Sequence, residues 1–117
     1  MRVIARATLT GFLNFHATRS NRETLRGHLD AWYAVVSRAK WLNSAELKQQ
    51  LGSASIISAK RIVFNIKGND FRLVAEVSYE HQVIFIKWLG THKEYDKIDV
   101  LTVEYDKERY ADSPHSK

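Results

Sequence analysis

Cysteine is absent from the chain, so neither a disulfide framework nor thiolate chemistry is possible, and a reducing compartment fits. The single proline, Pro114, falls near the C-terminal end. No apolar run approaches the length of a membrane span. The opening Met1-Arg-Val-Ile-Ala-Arg6 also lacks the long apolar core of a signal peptide. The expected location is therefore cytoplasmic, with no membrane partner. His16, His28 and His81 are scattered, and no His/Asp/Glu set recurs at metal-ligand spacing, so no metal site is expected. A phosphate-cradling Gly-rich loop and a Gly-x-Ser-x-Gly elbow are both missing. So are internal repeats, low-complexity segments and linkers. At 117 residues the chain has room for one core and not for two.

Positive charge is what the chain has in excess, with a net of +5. Residues 1–93 carry fourteen Lys/Arg against six Asp/Glu, and residues 94–117 carry four against seven. A basic body with an acidic tail points to an anionic partner for the body. Charge alone is equally consistent with a well-solvated surface.

Organisation is clearest between Arg61 and Asp96. Three alternating apolar runs separated by two polar turns predict a three-stranded antiparallel meander. Gly68-Asn69 tolerates the positive φ of a two-residue hairpin loop. With that loop, Lys67 pairs with Asp70, Asn65 with Arg72, Val63 with Val74 and Arg61 with Glu76. Ile62, Phe64, Ile66, Phe71, Leu73, Ala75 and Val77 then share the core face. A Glu80-His81 loop pairs Val77 with Ile84, Ala75 with Ile86, Leu73 with Trp88 and Arg72 with Leu89. On that register Trp88 joins Ile84 and Ile86 in the core.

Elsewhere, Arg2 to Arg6 has the character of an edge strand, and Leu9, Phe12, Leu13 and His16 form a helical stripe. Ser20-Asn-Arg-Glu23 is a capping-box pattern. It precedes Leu25, Leu29, Trp32, Tyr33 and Val36 at helical spacing, which predicts a helix from about Asn21 to Ala39 with Arg22, Arg26, Asp30 and Arg38 outward. Asn43-Ser-Ala-Glu46 starts a shorter helix with Leu47 and Leu51 inward and Gly52 ending it. The connection from Ser53 to Lys60 has extended character at Ile56-Ile57. Trp32, Trp41 and Trp88 read as structural, Trp41 as the most exposed of them. Beyond Asp96, Ile98, Leu101, Val103 and Tyr105 fit a short helix or an extended arm, and Ala111 to Lys117 is expected to be disordered. The class is α+β, with helices on one sheet face.

Chemistry concentrates at one corner of the outer face, where Asn65, Lys67, Arg72 and His92 converge from three strands. Arg72 and Lys67 suit phosphate contact, one gripping two oxygens and the other supplying a point charge. An ordinary charged face, with Lys67–Asp70 and Arg61–Glu76 as cross-strand ion pairs, is the alternative. Imidazole suits His92 to proton transfer, although a histidine at a strand end also serves as a surface or capping residue. Tyr95 is acid, base or stacking platform on one reading and core packing on the other. Asn65 opposite Arg72 fits an orienting role. The helices lack a clear recognition helix, which argues against direct DNA reading.

Val63-Phe-Asn-Ile-Lys-Gly-Asn-Asp-Phe-Arg-Leu-Val74, followed by Leu89-Gly-Thr-His-Lys-Glu-Tyr-Asp-Lys-Ile-Asp99, resembles the HigB toxins of type II toxin–antitoxin modules, within the wider RelE-like group. The opening Met1 to Arg6, the Ala31-Trp-Tyr helix and the Lys40-Trp segment fit the same pattern. The resemblance covers residues 1–99 as a single toxin domain and leaves 100–117 as an acidic, partly disordered extension. It implies a compact RelE-like α+β domain, an N-terminal strand and helices packed on the meander. It also implies an endoribonuclease that cuts mRNA in the A site of the 70S ribosome, without metal or organic cofactor. The implied silencing partner is a HigA-type helix-turn-helix antitoxin, and operator DNA is reached only through that partner. In such chemistry the 2′-hydroxyl attacks the adjacent phosphate, so a base, an acid and cations are required.

Carried onto this chain, the resemblance makes Lys67 and Arg72 the phosphate-stabilising cations. It makes His92 the proton-transfer group and Tyr95 the second choice. Asn65 stands where some relatives have lysine, and the general base therefore falls to His92. Arg61, Asn65 and Lys93 would contact RNA, while Arg22, Arg26 and Arg38 would dock ribosomal RNA through a salt-sensitive term. Two further readings are a catalytically silent RNA- or ribosome-binding module of the same fold and a co-repressor subunit acting with its antitoxin.

Overall fold

The computed structural model describes residues 1–4, 6–15, 21–68 and 70–104. Strand β1 (Arg2–Ile4) precedes helices α1 (Arg6–Phe15), α2 (Arg22–Arg38) and α3 (Ser44–Gln50). Strands β2 (Ser55–Ile56), β3 (Arg61–Ile66), β4 (Phe71–Ser78) and β5 (Val83–Thr91) follow, then the one-turn helix α4 (His92–Tyr95). The strands form one sheet in the order β1-β5-β4-β3-β2. β1 lies parallel to β5 and the remaining neighbours are antiparallel, so the sheet is mixed, with the meander at its centre.

The β3–β4 hairpin has the register that its alternation demands, with Arg61 opposite Glu76, Val63 opposite Val74 and Asn65 opposite Arg72. Ile62, Phe64, Ile66, Phe71, Leu73, Ala75 and Val77 consequently face the helices. There they meet Leu9 and Phe12 of α1, Leu25, Leu29, Trp32 and Val36 of α2, and Leu47 of α3. Each such Leu, Ile, Val or Phe contributes roughly 1.5–3 kcal/mol on burial, and this shared face fixes the helices to one side. Left-handed backbone starts at Lys67 (φ 55) and continues at Gly68 (φ 64), one residue earlier than a Gly68-Asn69 loop requires. The turn closes where Asp70 N–H donates to the Lys67 carbonyl at 3.2 Å.

The β4–β5 register departs from expectation halfway along. Val77 pairs with Ile84 and Ala75 with Ile86, but Val74 then pairs with Trp88 and Leu73 with Leu89, across a bulge. Lys87 is the extra residue, and a bulge re-aims every side chain after it. Leu89 therefore takes the core place expected of Trp88. Trp88 turns to the outer face, where it packs with Val63 and Val74. Arg72 now stands opposite Gly90 rather than Leu89.

That outer apolar strip is covered by a segment with no regular structure. Ile98, Val100 and Val103 pack against Val63, Val74 and Trp88, with Tyr95 and Ile57 at the margins. Beyond them Glu104 Oε2 accepts from Arg61 Nη2 at 2.9 Å and Oε1 accepts from Lys87 Nζ at 2.8 Å. Residues 100–104 thus pack on the sheet, and a division at 99 falls within this cover. Residues 105–117 lie outside the described residues, as do His16, Ser20 and Asn69.

Two local expectations change. Trp41 is buried at 4% exposure because its indole N–H donates to Gln50 Oε1 at 2.8 Å. The cap position of α2 is held by Asn21, which makes no side-chain cap bond. The N-cap of α3 is Asn43, which accepts from Glu46 N–H at 2.9 Å as its sequence implies. The α-amino group of Met1 donates to the carbonyls of Val36, Ser37 and Ala39, satisfying the C-terminal end of α2 beside β1.

Candidate functional site

The outer corner is built by the point where β5 becomes α4. Thr91 Oγ1 accepts from Glu94 N–H at 3.2 Å, and Glu94 Oε1 accepts from Thr91 N–H at 2.9 Å. This reciprocal capping box fixes the first turn of α4. His92, the first residue of that turn, still donates its own N–H to the Asp70 carbonyl at 3.0 Å. Its backbone is held by the sheet while its side chain projects from the helix start. The Thr91-x-x-Glu94 signature is readable in the sequence, but the meander pattern hides it.

Arg72 reaches across to this turn. Gly90, its partner on β5, brings no side chain beside it, and Arg72 Nη2 lies 3.2 Å from His92 Nδ1. A guanidinium only donates, so Nδ1 accepts here and a neutral ring carries its proton on Nε2. The Tyr95 ring lies under the same guanidinium, 5.9 Å from centroid to Cζ, and tilts against Trp88 at 6.2 Å. Arg72, His92 and Tyr95 are therefore brought together.

Lys67 is at the same edge and pairs with Asp70 at 3.2 Å, its side chain 28% exposed. That is the ion-pair alternative, and such a pair is worth about 0–1 kcal/mol, so it yields readily to a phosphate. Asn65 is opposite Arg72, but its amide nitrogen donates to the Ser53 carbonyl at 3.1 Å instead of steering the guanidinium. Lys93 is exposed and lines a cleft of about 530 Å³ with His92, Thr91, Asp70, Phe71 and Asn21. α2 starts beside this cleft. Of its arginines, Arg22 is half-buried and Arg26 is exposed, 4.0 Å from Glu23.

Arg61 does not join the corner. Its side chain is 7% exposed and held by Glu76 at 3.5 Å, Glu104 and the Val103 carbonyl, so in this arrangement it presents nothing to RNA. Lys87, the bulge residue, lies on the same outer face, with its Nζ 2.8 Å from Glu104. A second cleft of about 830 Å³, lined by Met1, Arg2, Ala39, Leu42 and Tyr79 among others, contains Arg38 but none of the corner residues. Among the described residues no three His, Asp or Glu side chains cluster as metal ligands do, and no helix is long and apolar enough to cross a membrane.

Residues 25–98 match the sequence model of the HigB_toxin family, the RelE-like toxic component of a toxin–antitoxin system. The chain belongs to this family. Three curated relatives share a shorter stretch: "mRNA interferase toxin HigB" of Escherichia coli (strain K12), and "mRNA interferase HigB" of Escherichia coli O157:H7 and of Shigella flexneri. Each is 51% identical over 37 residues, which is 32% of this chain and 36% of the relative. The chain thus aligns with about a third of the length of these HigB relatives. The matched family segment contains the hairpin, the bulge and the Arg72–His92–Tyr95 corner, and the α+β architecture with its mixed five-stranded sheet agrees with a RelE-like toxin.

Proposed function

We propose that the protein is a toxin that cleaves mRNA by transesterification, the 2′-hydroxyl attacking the adjacent phosphate. The observation that carries this reading is the Arg72–His92 contact, a pure donor facing an imidazole lone pair at an open sheet corner. The names of the partial relatives point the same way.

The expected sequence of events starts with the phosphate. Its non-bridging oxygens draw the Arg72 guanidinium off Nδ1, because a charge-assisted bond to an anion outcompetes one to a neutral ring. The freed nitrogen then takes the 2′ proton as general base. Arg72 and Lys67 stabilise the negative charge that develops on the phosphorane. The leaving 5′-oxygen is protonated by a second group, for which Tyr95 at the same corner is the candidate. The products are a 2′,3′-cyclic phosphate and a 5′-hydroxyl.

Asn65 and Lys93 border this site and serve as RNA contacts, and Arg22 and Arg26 supply positive charge nearby. The site acts on mRNA in the A site of the 70S ribosome. A HigA-type helix-turn-helix protein silences the toxin and carries any contact with operator DNA. The protein works in the cytoplasm and needs no metal.

Induced expression of wild type, His92→Gln and Arg72→Ala, with mRNA 5′ ends mapped in growing cells, tests the reading. In-frame cuts with wild type that vanish in both folded variants support it. Growth arrest with intact transcripts overturns it in favour of a silent ribosome-binding module. Cutting that survives both substitutions moves the site elsewhere.

A further inference from the structure

The outer face carries a second pair of cations that the reaction corner does not use. Arg61 and Lys87 are set into the sheet, with side chains 7% and 21% exposed, whereas the Glu104 carboxylate that joins them is 62% exposed. The cations are therefore fixed parts of the wall, and the anion comes from outside on the covering segment. Its two oxygens are divided between them, Oε2 on Arg61 Nη2 at 2.9 Å and Oε1 on Lys87 Nζ at 2.8 Å. Two non-bridging oxygens of a phosphodiester present the same demand.

Charge balance agrees. Glu76 lies 3.5 Å from Arg61 Nε, so without Glu104 two cations face a single carboxylate, one positive charge in excess. One phosphodiester supplies one negative charge. The bond from Lys87 chiefly holds the Glu104 carboxyl below its usual 4.5, against the opposing effect of burial, and Arg61 adds a smaller lowering.

We infer that Arg61 and Lys87 form a backbone-phosphate site for single-stranded RNA, and that Glu104 occupies it in the resting protein as an internal substitute. This rests on the reading of the protein as an RNA-directed toxin. Arg72 and Glu76 lie on one face of β4 four residues apart, roughly 13 Å at strand spacing, so the site would take a different phosphate of the strand held at the reaction corner. Ile98, Val100 and Val103 lie on the apolar strip between the two. RNA that engages both sites must lift this cover.

The test uses an RNA oligonucleotide with 2′-O-methyl groups throughout, which binds but cannot be cut, titrated against the full chain at several salt concentrations. Glu104→Gln is expected to tighten binding about tenfold. It should also steepen the dependence of log K on log salt by roughly 0.7, the value of one added phosphate contact on a single strand. Adding Lys87→Gln to that variant should cancel both changes. Unchanged affinity and slope in Glu104→Gln overturn the site and leave Glu104 as a structural clamp. A wild type that binds this RNA but cuts no mRNA fails the nuclease reading without touching the phosphate site.

Thermal melting checks that the variant folds. Should it not, wild type is titrated with inorganic pyrophosphate while the amide resonances of Val103 and Glu104 are followed. Saturable shifts at both support displacement of the carboxylate, and stationary resonances overturn it.

Discussion

Arg72 Nη2 and His92 Nδ1 face each other at 3.2 Å although Arg72 stands on β4, His92 opens α4, and twenty positions separate them in sequence. Neither the strand nor the helix alone produces this. The bulge at Lys87 brings His92 level with Asp70, and the capping box at Thr91 and Glu94 starts the helix there.

If this contact is the reactive pair, the two substitutions act differently on rate and alike on stability. His92→Gln is expected to lose about 10²–10⁴-fold in cleavage rate, the usual range for a positioned proton-transfer group. Arg72→Ala should lose about 10²–10³-fold, the range for a removed charge-stabilising donor. Both side chains are at least partly exposed, so urea midpoints should move by no more than about 0.5 kcal/mol equivalent. Single-turnover cleavage of RNA beside a urea melt measures both.

The cap at Thr91 is expected to matter beyond its stabilising effect. Thr91→Ala removes the acceptor for Glu94 N–H and should cost about 0.5–2 kcal/mol in urea unfolding. Because the cap aims His92, the turnover number should fall while KM stays near wild type, and Thr91→Ser should restore both. A KM increase with unaltered turnover would contradict the positioning role.

Acid should loosen the covering segment at Glu104. Its folded value is lowered below 4.5, first by the bond from Lys87, so the folded state binds fewer protons than the unfolded one in that window. The stabilising contribution is complete above 4.5 and is lost as pH falls through the lowered value. The gap in stability between wild type and Glu104→Gln should therefore hold steady above that window and close below it, as urea melts across a pH series would reveal.

Tyr79 offers the opposite sign. Its hydroxyl is buried and finds no partner among the described residues, and burial raises its value above 10.0. Tyr79→Phe deletes an unsatisfied polar group and is expected to stabilise the protein by about 1 kcal/mol. Wild type alone should lose stability as pH rises beyond 10.0, because the phenolate is disfavoured in the fold. Thermal melts of the two proteins at neutral and alkaline pH decide the point.

Much of the sheet was legible because alternation and the Gly68 turn specify one register for β3 and β4. Trp88 was not, since Ile84, Ile86 and Trp88 keep perfect alternation through a bulge that only the three-dimensional sheet requires. The burial of Trp41 is not legible either, because its partner, Gln50, is an unremarkable helix residue in the sequence. The Arg72–His92 meeting was legible as a corner and the Arg61–Glu76 ion pair as an alternative, while the rest of the hold on Arg61 was not. Its partners Val103 and Glu104 lie in a segment whose apolar residues follow no period and so suggest no surface to cover.

That segment also determines where the chain can be shortened. The family match ends at residue 98, before Val100, Val103 and Glu104. A protein cut after residue 98 would lose Val100 and Val103 from the cover and leave Val63, Val74 and Trp88 largely bare as a flat apolar strip across three adjacent strands, a surface that invites pairing with another copy. Self-association would then be the first symptom of truncation, appearing in light scattering before any deficit in catalysis. A soluble, well-behaved minimal domain must retain residues through at least 104.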